Sequence, residues 1–369
     1  MRDSIKIGVI ADQTGALAVM GVAQANVATL VVDEINASGG LLGRSVELLI
    51  EDSATDDRRA AANATKLVQN DHVELILGGI FSSTREAIKS PAVVDGGTLY
   101  IYPEQYEGQE YNPLLFCTGA VPAQQVEPLI PWVMQQTGAR TFYLPSADYI
   151  WPHVMNRKVH ELTSANGGEI VGEEYFPIDH ADWGEVVDRV NSSGAEVVFN
   201  TTVPPGCFPF LEALYESGFT KRGGRIVTTY FDENLVAALP TEHTEGLYGC
   251  IDYYQSLRDP FSEDLLARYN VRFPDGPHFT AGSGCTGMYR GLKLWEAAVT
   301  EAGSLDQAAV VAALDHAKIA EGPGGPGEMV PGQHHVRMSM YIAQVRNGTL
   351  DVVESLGAID PNEHLQVVA

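Results

Sequence analysis

Three places in the chain carry residue types able to do chemistry, and none has the spacing that the chemistry requires. Ser283, within Ala281-Gly-Ser-Gly-Cys285, has the look of an activated nucleophile, but its spacing departs from the G-x-S-x-G elbow that would expose a serine on a strand-to-helix turn. Those small residues read as close helix packing. His334-His335 offers two imidazoles, yet no carboxylate or cysteine stands at ligand spacing beside them, and the pair reads as a solvated loop. Asp232-Glu233 could serve acid/base work, and equally could open a helix, where carboxylates suit the positive end of the macrodipole. There is no Walker A sequence, no G-x-G-x-x-G after the first strand and no H-E-x-x-H. The expectation is a protein that is not an enzyme and needs no cofactor or metal.

The elements that would position a site alternate from the start. Ile5 to Ala11 reads as a strand, and Val22 to Asn36 as a helix with Val27, Leu30, Val31 and Ile35 on one face, at helical spacing. Gly39-Gly40 ends it. Val46–Ile50, Val73–Leu77, Leu99–Tyr102 and Leu115–Thr118 follow as strands, with a helix at Asp57–Asn70 and another capped by Ser82 or Ser83. The rhythm then restarts, with a helix at Pro122–Gln136 and strands at Thr141–Leu144, Glu169–Glu173, Val197–Asn200 and Arg225–Thr229. Residues 261–317 are mostly helical, and Gly322 to Gly327 must be a loop. Short strands follow at Val336–Val345 and Leu350–Val353. This is an α/β pattern of two doubly wound parallel sheets, in which a ligand sits at the carboxyl ends of the strands.

Length and composition agree. With 369 residues the chain is long enough for two domains. The formal charge of −25 repels phosphate backbones and anionic lipid, which argues against nucleic acid or membrane-surface partners. No apolar run approaches the length that crosses a membrane. Cys117, Cys207, Cys250 and Cys285 have neither pairing nor metal spacing and read as reduced, packed thiols. Met1-Arg-Asp-Ser leads straight into the first strand without the marks of a signal peptide. The expected location is cytoplasmic, or extracytoplasmic if a leader has been trimmed.

Several stretches resemble the type I periplasmic-binding-protein family, in its Leu/Ile/Val-binding-like branch. Asp33-Glu-Ile-Asn-Ala-Ser-Gly-Gly-Leu-Leu-Gly-Arg44 and Val46-Glu-Leu-Leu-Ile-Glu-Asp52 are similar to that branch's first helix-turn-strand unit. Tyr102-Pro-Glu-Gln-Tyr-Glu-Gly108 and Ser146-Ala-Asp-Tyr-Ile-Trp-Pro152 resemble loops of the urea-binding and short-chain-amide-binding subgroup, as do Gly172–Pro177 and Val197–Thr201. The resemblance implies a three-strand hinge crossing near Gly119, Asp252 and Gly327. One lobe would hold 1–120 plus 253–327 and the other 121–252 plus 328–369, with the ligand cleft between them.

By position, the resemblance implies that Ser82 or Ser83 and the backbone N–H groups at the following helix start meet a ligand carbonyl. Tyr102, Glu104 and Gln105 would line one wall, Tyr149 and Trp151 would close over the solute, and Thr201, Tyr230 and Phe231 would complete the pocket. Glu104 stands where the subgroup has a neutral residue. Facing the cleft, it would favour a solute with several N–H donors or a cation; turned away, it would pair with a basic neighbour. Thr202-Val-Pro-Pro-Gly-Cys-Phe-Pro209 also departs from the subgroup. The implied function is a non-catalytic solute-binding protein for urea, a short-chain amide or a related amino or amidinium compound, partnered by an ABC transporter permease. A cytosolic amide sensor read by a regulatory protein, and an amino-acid-binding protein, are the alternatives.

Overall fold

The structure, a computed structural model, describes residues 4–280 and 284–363; Ser283 lies outside them. The first run of elements is β1 (Ile5–Ala11), α1 (Ala18–Ala37), β2 (Val46–Asp52), α2 (Asp57–Gln69), β3 (Leu75–Gly78), α3 (Ser82–Lys89), β4 (Leu99–Tyr102) and β5 (Leu115–Cys117). The second begins with α4 (Val126–Thr137), β6 (Thr141–Ala147), α5 (Ile150–Ala165), β7 (Glu169–Phe176), α6 (Gly184–Ser192) and β8 (Val197–Phe199). It continues with α7 (Cys207–Glu216), β9 (Arg225–Thr228), α8 (Glu233–Ala237), α9 (Thr241–Thr244) and β10 (Tyr248–Ile251). Three helices follow, α10 (Pro260–Arg272), α11 (Cys285–Ala302) and α12 (Gln307–Leu314), before β11 (Lys318–Ile319), β12 (Gly327–Val330), β13 (His335–Arg346) and β14 (Thr349–Ile359).

The strands form one curled α/β sheet in the order β2-β1-β3-β4-β5-β13-β10-β9-β8-β6-β7. Pairing is parallel within β2-β1-β3-β4-β5 and within β10-β9-β8-β6-β7. The two runs meet at β13, which joins β5 through the single pair His335–Cys117 and β10 through an antiparallel ladder. Helices cover both faces, so β3 and, apart from Lys6, β1 are apolar runs, fully buried at Ile5, Ile7, Val9, Ile10, Leu75, Ile76 and Leu77. α11 packs on α1 and on β3 and β4, which is where the strand-poor region 261–317 goes.

Several expectations need correction. Neither Ser82 nor Ser83 caps α3: the helix starts at Ser82 after Phe81, and no side chain bonds to its first N–H groups. The Ser82 hydroxyl donates instead to Glu107 Oε2 at 2.5 Å. α4 starts at Val126 because Gln124 is used elsewhere, its amide donating to the Val336 and Ile359 carbonyls. His334-His335 is no solvated loop. His335 is buried and hydrogen-bonds Tyr106, while His334 stacks on Phe116 at 4.0 Å. Gly327 opens β12 instead of belonging to the preceding loop. By length and composition α1 is apolar enough to cross a membrane, but 61% of its apolar window is buried here, as in a core helix. All four cysteines are buried and free.

Candidate functional site

The site is built where the strands of the two parallel runs end. After β4 the chain turns through Pro103, Glu104 and Gln105, and two glycines let it pass close to its neighbours. A Cβ at Gly119 would overlap the Glu104 carbonyl, and one at Gly287, in the first turn of α11, would overlap the Pro103 carbonyl oxygen. The loop after β3 is propped from below. Tyr100 donates its hydroxyl to the Gly78 carbonyl at 2.9 Å, and Tyr102 donates to Ile80 at 2.5 Å. Side chains two apart on one strand face one side of a sheet, so this pair holds successive turns of the same loop.

Between the strand ends lies a cavity with about 460 Å³ of space, open mouth included, lined by Leu17, Met20, Ile80, Phe81, Ser82, Glu104, Gln105, Tyr149, Trp151, Val203, Pro204 and Tyr230. Its lining, mostly apolar with a few polar side chains, has the character of a small-molecule site. Phe81 and Tyr149 meet edge-on across it with centroids 5.4 Å apart. Tyr149 stacks on Trp151, and Trp151 meets Tyr230 edge-on at 6.0 Å.

Of the residues expected at the site, the structure brings together Ser82, Glu104, Gln105, Tyr149, Trp151 and Tyr230 on this cavity. It places four elsewhere. Ser83 is exposed on α3. Tyr102 is wholly buried beneath the loop, under the Arg85 guanidinium. Thr201 spends its hydroxyl on Ser146 Oγ at 2.8 Å, and Phe231 is buried behind Tyr230. Ile80, Phe81, Val203 and Pro204 lie in strand-end stretches, Gly78 to Ser83 and Thr201 to Cys207, whose position marks them as pocket lining, though none was named individually as a site residue. Leu17 and Met20 were not expected at all.

Glu104 is the electrostatic centre. It is 4% exposed, its Oε1 accepts from the Gln105 N–H at 3.1 Å, and its Oε2 has no partner among the described residues. Burial pushes its carboxyl well above the usual range, and Asp232, Asp252 and Asp12 push the same way. No basic side chain hydrogen-bonds to it among the described residues, so the alternative of a carboxylate turned toward a basic neighbour does not hold.

Asp232-Glu233 does open a helix. Asp232 caps α8 by accepting from the Leu235 N–H at 2.9 Å, worth about 1 kcal/mol. Glu233 is drawn inside, accepting from the Gln255 N–H while its other oxygen is unpaired among the described residues. Burial pushes its carboxyl from 4.5 up to about 8. A carboxyl raised on folding imposes no penalty below the unfolded value and an increasing one as pH climbs from 4.5 to about 8. Glu233→Gln keeps the acceptor for Gln255. It should therefore leave stability unchanged near pH 4 and raise it by on the order of a few kcal/mol above pH 8. Urea melts at the two pH values check this, and equal gains at both would contradict it.

The sequence profile of a family described as Periplasmic binding protein matches residues 4–349. The chain belongs to this family. A Leu/Ile/Val-binding protein homologue of Brucella melitensis is 24% identical over 95% of this chain and 91% of its own length. A leucine-, isoleucine-, valine-, threonine- and alanine-binding protein of Pseudomonas aeruginosa is 36% identical, over 27% of this chain and 26% of its own. Among solved structures, a solute-binding protein of an ABC transporter from Rhodopseudomonas palustris, in complex with 3,4-dihydroxybenzoic acid, superposes with a TM-score of 0.87. It is 22% identical and covers 98% of this chain and 99% of that one. A leucine-binding protein from Thermotoga maritima gives 0.82 at 17% identity, over 96% and 99%. At these identities the structures establish the periplasmic-binding fold and not the ligand. Membership gives no support to a cytoplasmic location.

Proposed function

We propose that the protein is the solute-capturing component of an ABC importer, working outside the cytoplasmic membrane and catalysing nothing. It closes on a small polar molecule rich in N–H donors: urea, a short-chain amide or a related amino or amidinium compound. The observation that carries this reading is Glu104 Oε2, a buried carboxyl oxygen unpaired among the described residues, on a side chain that lines the cavity. A ligand N–H would supply the bond it lacks. Two lobes, 1–120 with 253–327 and 121–252 with 328–369, would close by rotation about the crossings near Gly119, Asp252 and Gly327. The narrow join of the two runs at the His335–Cys117 pair supports that division. Only the closed state offers the ligand both walls, so binding drives closure.

A second reading is an amino-acid ligand. Its support is the names of the two sequence relatives and the first-turn N–H groups of α3, which no side chain caps and which suit a carboxylate. An ammonium group would then meet Glu104.

A thermal-shift panel of urea, acetamide, propionamide, guanidinium and leucine tests these readings. A solute at about 100 times its dissociation constant stabilises the fold by roughly 2.7 kcal/mol, a rise of a few degrees at this size. Stabilisation by urea or an amide is expected. A response to leucine alone would favour the amino-acid reading, and silence from every N–H donor would end the first.

A further inference from the structure

We infer that Trp151 reads a hydrogen-bond acceptor on the ligand while Glu104 reads its donors, so that the solute is an uncharged amide-type molecule and not an amidinium or guanidinium cation. This rests on the reading above that the cavity holds a small N–H-bearing solute, and narrows its class.

Several polar side-chain groups on the cavity lining already have protein partners. The Ser82 hydroxyl is spent on Glu107. The Tyr230 hydroxyl donates to the Thr202 carbonyl, and the Gln105 carbonyl oxygen accepts from Gln125. Two buried side-chain atoms on the lining have no partner among the described residues: Glu104 Oε2 and Trp151 Nε1. The indole N–H is a donor and nothing else. A buried donor left unpaired costs free energy, and such orphans in a native fold call for an explanation.

Trp151 is 4% exposed and fixed between Tyr149 and Tyr230, so its N–H cannot swing out to solvent without displacing both rings. It stands in the first turn of α5, in the second run of elements, whereas Glu104 follows β4 in the first. A ligand bonded to both therefore spans the two walls. Urea and primary amides carry a carbonyl oxygen and N–H donors on adjacent atoms. Amidinium and guanidinium carry donors alone; they would leave the indole N–H unpaired and set one donor against another.

Acetamide and acetamidinium form the discriminating pair, nearly equal in shape and differing in the acceptor and in charge, so the change in their preference on removing the indole N–H isolates the acceptor. Calorimetry on the full chain should show wild type preferring acetamide by more than roughly 10-fold. Trp151→Phe, which removes the N–H and keeps an aromatic ring, should weaken acetamide by about 10-fold and leave acetamidinium unchanged. In 15N spectra of wild type, the indole resonance absent from Trp151→Phe should move downfield with acetamide and not with acetamidinium. Should the variant fail to fold, the wild-type preference and that shift, assigned through the other three tryptophans, still decide. Equal binding of the two probes, or a variant that keeps the preference, overturns the inference and leaves the N–H-donor reading standing. Silence from both probes, with urea and propionamide silent too, overturns that reading and this inference together.

Discussion

Glu104→Gln is expected to weaken binding of the N–H-bearing solute by about 10- to 100-fold while making the ligand-free protein more stable. The two effects have one cause. Glu104 is a carboxyl without a cationic partner among the described residues, held in a cavity wall where burial raises its pKa well above 4.5. Hydrogen bonds to a charged group contribute roughly 1.5–3 kcal/mol, more than neutral ones, and the amide can turn its NH2 toward the ligand's own donors. Without ligand the sign reverses. Because the folded-state pKa lies above the unfolded one, ionisation opposes folding. The penalty is absent below about 4.5 and grows as pH rises toward the folded value. The stabilisation from Glu104→Gln should therefore increase with pH across that range. Calorimetric titration and thermal melts at several pH values read both quantities. A variant that binds as well as wild type would remove Glu104 from the site; one that binds poorly and is also less stable would point to a structural role.

Arg290→Met is expected to destabilise the protein by about 3–5 kcal/mol, the cost of stranding one member of a buried ion pair. Arg290 donates to Asp252 Oδ2 at 2.6 Å and to the Thr118 carbonyl at 2.7 Å, with side-chain exposures of 3% and 5% for the two charged residues. It also lies against Gly327, where a Cβ would meet its side chain at 3.0 Å. One guanidinium thus touches the segments at all three proposed crossings, near Gly119, Asp252 and Gly327. Asp252→Asn in the Arg290→Met background should recover part of the loss, because the uncompensated charge is then gone. Denaturant melts of the two variants measure this. A single substitution costing less than 1 kcal/mol would show that water reaches Asp252.

The two substitutions also separate ligand recognition from architecture. Glu104 makes one hydrogen bond to its own neighbour's N–H and leaves an oxygen for the solute. Arg290 has nothing left over for a ligand in the sense that its charge is neutralised inside the fold. A loss of binding in Arg290→Met that disappears under strongly stabilising conditions would accordingly report on the scaffold, whereas the loss in Glu104→Gln should persist.

Strand and helix identity was legible locally. β1, at Ile5–Ala11, and β4, at Leu99–Tyr102, lie where their apolar runs placed them, because a parallel strand covered on both faces is apolar at nearly every position. The restart of the rhythm after β5 was likewise written in the order of elements. β10, Tyr248–Ile251, was not seen: its short Tyr-Gly-Cys-Ile run is interrupted by a glycine, which weakens a strand pattern. The start of α4 was misplaced because Gln124 bonds to carbonyls more than 200 residues away, a competition no local pattern records.

For the site, the family resemblance nominated Glu104, Gln105, Tyr149, Trp151 and Tyr230 by position, in loops at strand ends, where ligands collect in this architecture. What the sequence by itself determined was therefore the α/β order and the loops from which a pocket must be made. Which side of each loop faces the cavity was decided only by tertiary structure. Ser82 and Tyr230 turn their hydroxyls to protein partners, Tyr102 props the loop from beneath, and the lining residues Glu104 and Trp151 keep buried atoms unpaired among the described residues. The physical reason is that a polar group's role depends on whether a partner from a distant segment reaches it. That is set by how the sheet, α11 and the glycine contacts at Gly119 and Gly287 bring those segments together.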